Sequence, residues 1–341
     1  MAFIQPSDAT RRPITPSQGL GITENAHLDQ MFLHLDPAKF RDPDVTAKGE
    51  NRATVGLRAL ETLWFNTGTL CNLTCRNCYI ESSPRNDSLA YLTLAEVATY
   101  LDEIARDHLP TQLIGFTGGE PFMNPDIIAM LEAVLSRGLN ALVLTNAMKP
   151  LRRLRADLLP LRGKYGDRLT IRVSIDHPDA AIHEQERGRR SWLPALDGLI
   201  WLARNGFNLD VAGRRFTGES EQAIRDGFSR LFATHDIPVD AYDPVRLMLF
   251  PEMERDRDVP EITTACWSIL HKSPNDVMCA AARMVVKRRD APTPVVQACT
   301  LLAYDPRFEM GTTLAEASAP VSLNHPFCAS FCVLGGASCS R

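Results

Sequence analysis

Cys71-Asn-Leu-Thr-Cys75-Arg-Asn-Cys78-Tyr79 brings three thiols and an aromatic ring into nine consecutive residues. Three thiolates at that spacing, carried on one tight loop, suffice for three irons of a cubane [4Fe–4S] cluster. The fourth iron then stays open to an outside ligand. The competing reading is a structural zinc loop. It needs a fourth protein ligand close by, and the residues that follow supply neither His nor Cys.

Immediately upstream, Thr62-Leu-Trp-Phe-Asn66 reads as a buried strand leading into the loop. Downstream, Thr93-Leu-Ala-Glu96 is a capping box opening a helix, with Leu94, Val97, Leu101 and Ile104 on one stripe. Residues 112–117 form a second strand ending on Gly118-Gly119-Glu120-Pro121, and Asn124-Pro125 starts the next helix. Strand-like segments recur at 140–145, 169–175, 208–212 and 245–250, separated by helix-like segments near 149–160, 192–205 and 219–234. Six strands alternating with helices predict an α/β fold with a parallel sheet and right-handed crossovers. An open six-strand barrel and a doubly wound sheet give the same string, so periodicity leaves both open.

The 341 residues provide for a large domain and a smaller one. With 37 basic against 41 acidic residues and a net charge of −4, the chain has no electrostatic footprint for nucleic acid. No apolar run approaches the roughly 20 residues that span a bilayer, and the first residues lack the apolar core of a signal peptide. The expectation is a cytoplasmic protein without a membrane partner, in a compartment where thiols stay reduced. Nine cysteines then point to metal rather than to disulfides.

Together, Cys71, Cys75, Cys78, Tyr79 and Gly118-Gly119-Glu120-Pro121 resemble the radical S-adenosylmethionine (SAM) enzymes. The resemblance implies a partial (β/α)6 TIM-like barrel. It also implies that the three cysteines hold a catalytic cluster whose open iron binds the amino and carboxylate groups of SAM. One electron then cleaves the sulfonium to methionine and a 5′-deoxyadenosyl radical, which removes hydrogen from an unactivated position. On the same ground Tyr79 lies beside the adenine, and Gly118 and Gly119 let the backbone approach the cofactor. Glu120 accepts from the amino group of SAM, while Ser174 and Arg187 face its ribose or carboxylate. Asp176 and Asn146 carry no firm role, and Thr145-Asn146-Ala147 departs from the Thr-Asn-Gly usual there. A reductant such as flavodoxin or ferredoxin is implied.

Cys266, Cys279, Cys299, Cys328, Cys332 and Cys339 crowd the last quarter of the chain. This region resembles the SPASM or twitch extensions that carry auxiliary clusters, with hairpin arms at 282–287 and 294–298 between Cys279 and Cys299. A full SPASM domain holds two clusters on seven cysteines, and this chain has only Cys328, Cys332 and Cys339 after the hairpin. One auxiliary [4Fe–4S] cluster is therefore expected, on Cys279, Cys299 and two or three of the last trio; tetrahedral zinc is the alternative. For Cys266 a fifth ligand, a substrate-side thiol and a small buried hydrophobe all stay open.

The expected division is an N-terminal extension at 1–58, a core barrel at 59–255 and an auxiliary-cluster domain at 256–341. The extension shows no chemistry and is either partly disordered or a cover over one end of the barrel. The last domain is expected to be organised by metal rather than by an apolar core. Because 1–58 lacks the strand alternation of a peptide-binding wing, the expected substrate is a small molecule. The alternatives are a ribosomal-peptide or protein modifier, and a non-catalytic iron–sulfur or zinc scaffold.

Overall fold

The computed structural model describes residues 35–216, 218–252 and 258–337. Cys339 and residues 1–34 of the N-terminal extension lie outside the described residues. A short strand, β1 (Thr54–Val55), precedes the six strands read from sequence. These are β2 (Thr62–Asn66), β3 (Leu113–Thr117), β4 (Asn140–Thr145), β5 (Leu169–Ser174), β6 (Asn208–Arg215) and β7 (Leu247–Pro251). Between them run helices α1 (Leu94–Arg106), α2 (Ile127–Ser136), α3 (Lys149–Arg153), α4 (Arg155–Tyr165), α5 (Ala180–Arg187), α6 (Trp192–Arg204) and α7 (Glu221–Thr234). The Thr93–Glu96 capping box forms as expected. The helix expected near 149–160 is two, meeting at Leu154.

Strand order decides between the two architectures that periodicity left open. β2 to β7 pair in parallel in simple sequence order. A doubly wound sheet reverses its order at a switch point, and no reversal occurs among these strands. The chain folds as a partial (β/α) barrel. Among the described residues no helix is long and apolar enough to cross a membrane.

Every residue of β2 is buried, so alternation sorts its side chains between two apolar layers rather than between core and water. Leu63 and Phe65 join the layer under the helices, with Ile114, Phe116, Val143 and Ile171. Trp64 points to the other face and packs with Leu142, Met284 and Val286. Gly115 on β3 makes room for it, since a Cβ there would lie 2.2 Å from the indole.

Two features of the last region depart from expectation. The first arm of the hairpin, β8 (Ala282–Val286), pairs in parallel with β2, and β9 (Val295–Gln297) completes an eight-stranded sheet. The region also has an apolar layer, with Leu302, Phe308, Leu323, Phe327, Phe331 and Val333 continuing from Trp64. It is organised by core as well as by cysteines. Its apolar residues come from short irregular segments with no period to detect. Residues 35–58 pack on this layer: β1 pairs with β10 (Val321–Ser322), Phe40 is fully buried, and buried Arg52 meets Glu261 at 2.5 Å.

Candidate active site

The carboxyl ends of the barrel strands open into one cavity of about 1060 Å³, part of it open to solvent. Thr117, Leu144, Thr145, Ser174, Ala212 and Phe250 line it from strand ends, and Cys71, Cys75, Cys78 and Tyr79 line it from the loop after β2. Gly118, Gly119, Asn146, Asp176, Arg187 and Arg214 complete the polar wall. A single cavity thus gathers the three early cysteines and every cofactor-site residue expected from sequence except Glu120.

The cysteine loop is held by neighbours on both sides. Gly119 N–H donates to Gly68 O at 2.8 Å, Glu120 N–H to Leu70 O at 3.2 Å and Cys71 N–H to Ser83 O at 3.1 Å. A Cβ on Gly119 would stand 2.1 Å from Leu70 O, and Gly118 has φ +129° with Gly68 O 2.5 Å from its missing Cβ. The paired glycines are therefore required first by the cysteine loop, whose backbone they touch. On the other side Arg76 N–H donates to Glu186 O at 2.8 Å, and Asn77 Nδ2 donates to Glu186 Oε2 at 2.8 Å. Glu186 lies on α5, a helix the sequence reading missed. Its buried face is polar, His183 and Glu186, so it has no apolar stripe; its one signal is Asp179, which caps Ala181 and Ile182.

Glu120 is held by neighbouring protein groups. It is 1 % exposed and stands behind the cavity wall. One oxygen accepts from Thr145 Oγ1 at 2.7 Å and Phe122 N–H at 3.2 Å, the other from Asn146 N–H at 2.8 Å. Burial pushes its carboxyl up to about 7 against these hydrogen bonds. Its carboxylate braces the turn after β4, and Asn146 reaches from that turn toward the cysteine loop, donating to Asn72 Oδ1 at 3.0 Å. Ala147 in this turn takes φ +56°, the left-handed conformation that costs a non-glycine residue roughly 1–2 kcal/mol.

The electrostatic centre of the cavity is Asp176 between two arginines. Arg187 Nη2 donates to Asp176 Oδ1 at 2.9 Å, and Arg214 Nε lies 3.4 Å from the same oxygen. Arg214 also donates to Asn77 O at 2.7 Å and lies over the Tyr79 ring at 4.9 Å. Asp176 and Arg214 are buried and Arg187 is mostly so, with one negative charge against two positive. Arg187 Nε, Arg214 Nε and Nη1, and Asp176 Oδ2 have no hydrogen-bond partner. Buried donors left over in a cavity with excess positive charge suit an anionic group such as a carboxylate or thiolate-bound cluster. Sequence reasoning left Arg214 out. Its only signal was the Arg214-Arg215 pair at the end of β6, where alternation must turn one of the two inward.

Burial pushes the Cys71 thiol up to about 12 and raises Cys75, with Arg187 opposing the shift at Cys75. A cation bound there reverses that preference, because the thiolate becomes its ligand. Leu73 and Ser82 N–H groups donate to Cys71 Sγ and Cys78 Sγ, each at 3.4 Å.

A second, smaller cavity of about 360 Å³ is lined by Cys279, Cys299, Cys328 and Cys332 among Met278, Leu301, Leu302, Leu323 and Phe327. Leu301 lines both cavities. Cys328 and Cys332 sit on a π-helical turn, Cys328–Val333. Cys266 is not in this wall; it heads α8 (Cys266–Ile269), and its Sγ accepts from Thr263 N–H at 3.4 Å. Among the described residues no three His, Cys, Asp or Glu side chains converge as ligands of a single ion. Four thiols lining one apolar cavity are a donor set that suits either a [4Fe–4S] cluster or tetrahedral zinc.

His183 gives the site a pH dependence. The ring is fully buried, edge-on to Trp192 at 5.3 Å, and neither nitrogen has a hydrogen-bond partner. Burial, helped by Arg187, lowers its pKa from 6.5 to about 4. Between those values the unfolded chain binds the proton and the folded chain does not, so stability falls as pH drops from 6.5 to 4. His183→Leu should flatten that limb by up to about 3 kcal/mol. Urea titrations of both proteins at pH 7.5 and 4.5 measure it, and equal slopes would remove His183 from the account.

Barrel, cysteine loop and cavity define a class, and comparison with known proteins names it. Residues 65–221 match the family model described as the radical SAM superfamily. Domains of this class use a [4Fe–4S] cluster and SAM. The chain is 29% identical over 169 residues to the antilisterial bacteriocin subtilosin biosynthesis protein AlbA of Bacillus subtilis. That match covers 49% of this chain and 35% of AlbA, so the shared region spans about a third of the curated relative. Among solved structures, Streptococcus suis SuiB bound to S-adenosylmethionine superposes with a TM-score of 0.55 at 13% identity, over 74% of this chain and 63% of SuiB. A hexahistidine-tagged anSMEcpe with bound AdoMet gives 0.53 at 14% identity, over 78% of this chain and 82% of that one. At such identities these structures speak for the fold alone.

Proposed function

We propose that this protein is a radical SAM enzyme that abstracts hydrogen from a peptide. The observation that carries the enzymatic reading is the convergence of Cys71, Cys75 and Cys78 with the unpartnered Asp176, Arg187 and Arg214 atoms on one cavity at the strand ends. A non-catalytic scaffold has no need for such a polar wall. The peptide reading is supported by the likeness to AlbA, whose name ties it to making a bacteriocin. The small-molecule expectation rested on the pattern of residues 1–58, most of which lie outside the described residues, and it has no matching support.

In this reading Cys71, Cys75 and Cys78 hold the catalytic cluster, which when bound supplies the electron that cleaves SAM to methionine and a 5′-deoxyadenosyl radical. The residues of this chain then position and shield. Arg187 and Arg214 offer their free donors to the carboxylate, and Asp176 Oδ2 and Ser174 offer acceptors to ribose or ammonium. Tyr79, set edge-on to Phe331 at 5.6 Å, forms the apolar end of the cavity where a substrate meets the radical. Glu120 keeps the Thr145–Asn146 turn in place. Cys279, Cys299, Cys328 and Cys332 hold one auxiliary [4Fe–4S] cluster, and electrons come from a flavodoxin- or ferredoxin-type donor.

The test is anaerobic reconstitution with iron and sulfide, followed by SAM, dithionite and, as probe, a fully deuterated form of a short peptide found encoded near the gene for this chain. Formation of 5′-deoxyadenosine tests the enzymatic reading. Its enrichment in deuterium tests the peptide. Product without deuterium would return the substrate to the small-molecule class.

A further inference from the structure

Arg283 on β8 is 1 % exposed and among the largest side chains removed from water. Its guanidinium donates only to backbone carbonyls: Nε to Ala317 O at 2.8 Å, Nη1 to Cys279 O at 2.5 Å and Ala282 O at 2.8 Å, and Nη2 to Ala319 O at 3.3 Å. No carboxylate pairs with it among the described residues. A guanidinium cannot shed its proton in a protein, so its full charge stays in the interior. An unpaired charge there costs several kcal/mol unless something of opposite sign is close. Other buried arginines have such a partner: Arg52 meets Glu261, Arg172 meets Asp210, and Arg214 meets Asp176. Arg283 instead holds the carbonyl of Cys279, and its field reaches the thiols of Cys279 and Cys299.

We infer that Arg283 is a built-in counter-charge of the second cluster site, compensating the thiolates of Cys279 and Cys299. The inference rests on the proposal that Cys279, Cys299, Cys328 and Cys332 bind a cluster. An oxidised [4Fe–4S] core held by four thiolates is a dianion. A fixed cation against one ligand's backbone favours its binding and raises its reduction potential, since net charge and hydrogen bonding near the sulfurs set that potential. The converse follows for the empty protein, where the same guanidinium is a buried charge without compensation. Cluster binding and the stability of the last region are coupled through this side chain.

Two substitutions separate charge from shape. Arg283→Gln keeps polar donors and removes the charge; Arg283→Lys keeps the charge and loses the fork. Each is reconstituted anaerobically beside the parent, with iron and acid-labile sulfide counted per chain. The second cluster's midpoint potential is followed by electron paramagnetic resonance, and melting is recorded with and without iron. Arg283→Gln should lose about half of the bound iron, or keep it with a lowered midpoint potential. Without iron it should melt above the parent. Arg283→Lys should restore most of the iron. Full iron at unchanged potential in Arg283→Gln would overturn the inference. So would equal failure of the Lys and Gln variants, which would make the fork's packing the cause. If Cys279→Ser binds as much iron as the parent, the cluster reading itself fails, and that outcome is visible before any Arg283 variant is made.

Discussion

Alanine at any one of Cys71, Cys75 or Cys78 should reduce 5′-deoxyadenosine formation to background, a loss of several orders of magnitude. Three thiols are the whole protein ligand set of the proposed catalytic cluster, so removing one leaves an iron without its anchor rather than a weaker copy of the site. The loop around them is tightly braced: Gly119 touches Leu70, and Glu186 holds Arg76 and Asn77. Structural collapse is therefore not expected from a thiol-to-methyl change. Iron per chain should fall by the first cluster's share while far-ultraviolet circular dichroism stays unchanged. Cys266→Ala is the control; that thiol lies outside both cavities and should leave product formation near the parental rate. Wild-type turnover in any of the three alanine variants would end the proposed assignment of the catalytic loop.

Asp176→Ala should produce the second large effect, and it should be larger without the cluster than with it. Asp176 alone among the described carboxylates bridges Arg187 and Arg214; Asp176 and Arg214 are buried and Arg187 is mostly so. Removing it leaves two guanidinium groups facing one another in the interior, which costs about 3–5 kcal/mol. In loaded protein the negative cluster and the SAM carboxylate take over part of the compensation, so the cost shrinks. Urea unfolding of the cluster-free and cluster-loaded forms measures both. The double variant Asp176→Ala/Arg187→Met should recover part of the loss, because it removes one of the uncompensated charges. A loss below about 1 kcal/mol in cluster-free protein would mean that Asp176 is not the counter-charge the geometry suggests.

Cys71, Cys75 and Cys78 could be picked out from spacing because thiol chemistry is concentrated in a few consecutive residues, and a loop that short cannot scatter them. The six barrel strands were legible for a related reason: buried parallel strands are short apolar runs, and their alternation with amphipathic helices is a property of neighbouring residues. Asp176, Arg187 and Arg214 come from β5's end, α5 and β6. Nothing along the chain says that an arginine at one strand end will meet an aspartate from the preceding strand. Arg283 was less visible still, sitting in what reads as an ordinary hairpin arm.

Tertiary structure also changed the meaning of residues already noticed. Glu120, noticed for its place beside the paired glycines, also braces the turn after β4 through three protein hydrogen bonds. Gly118 and Gly119 were expected to admit a ligand; they admit the cysteine loop first. Local chemistry, which depends on what each residue is and on its near neighbours, determined the class of domain, the first cysteine site and the strand inventory. Strand order, the division of charges among buried arginines, and the gathering of Cys279, Cys299, Cys328 and Cys332 around one cavity depend on contacts between residues far apart in the chain. Those pairings are set by the closing of the sheet and the burial of both its faces, which no local pattern encodes.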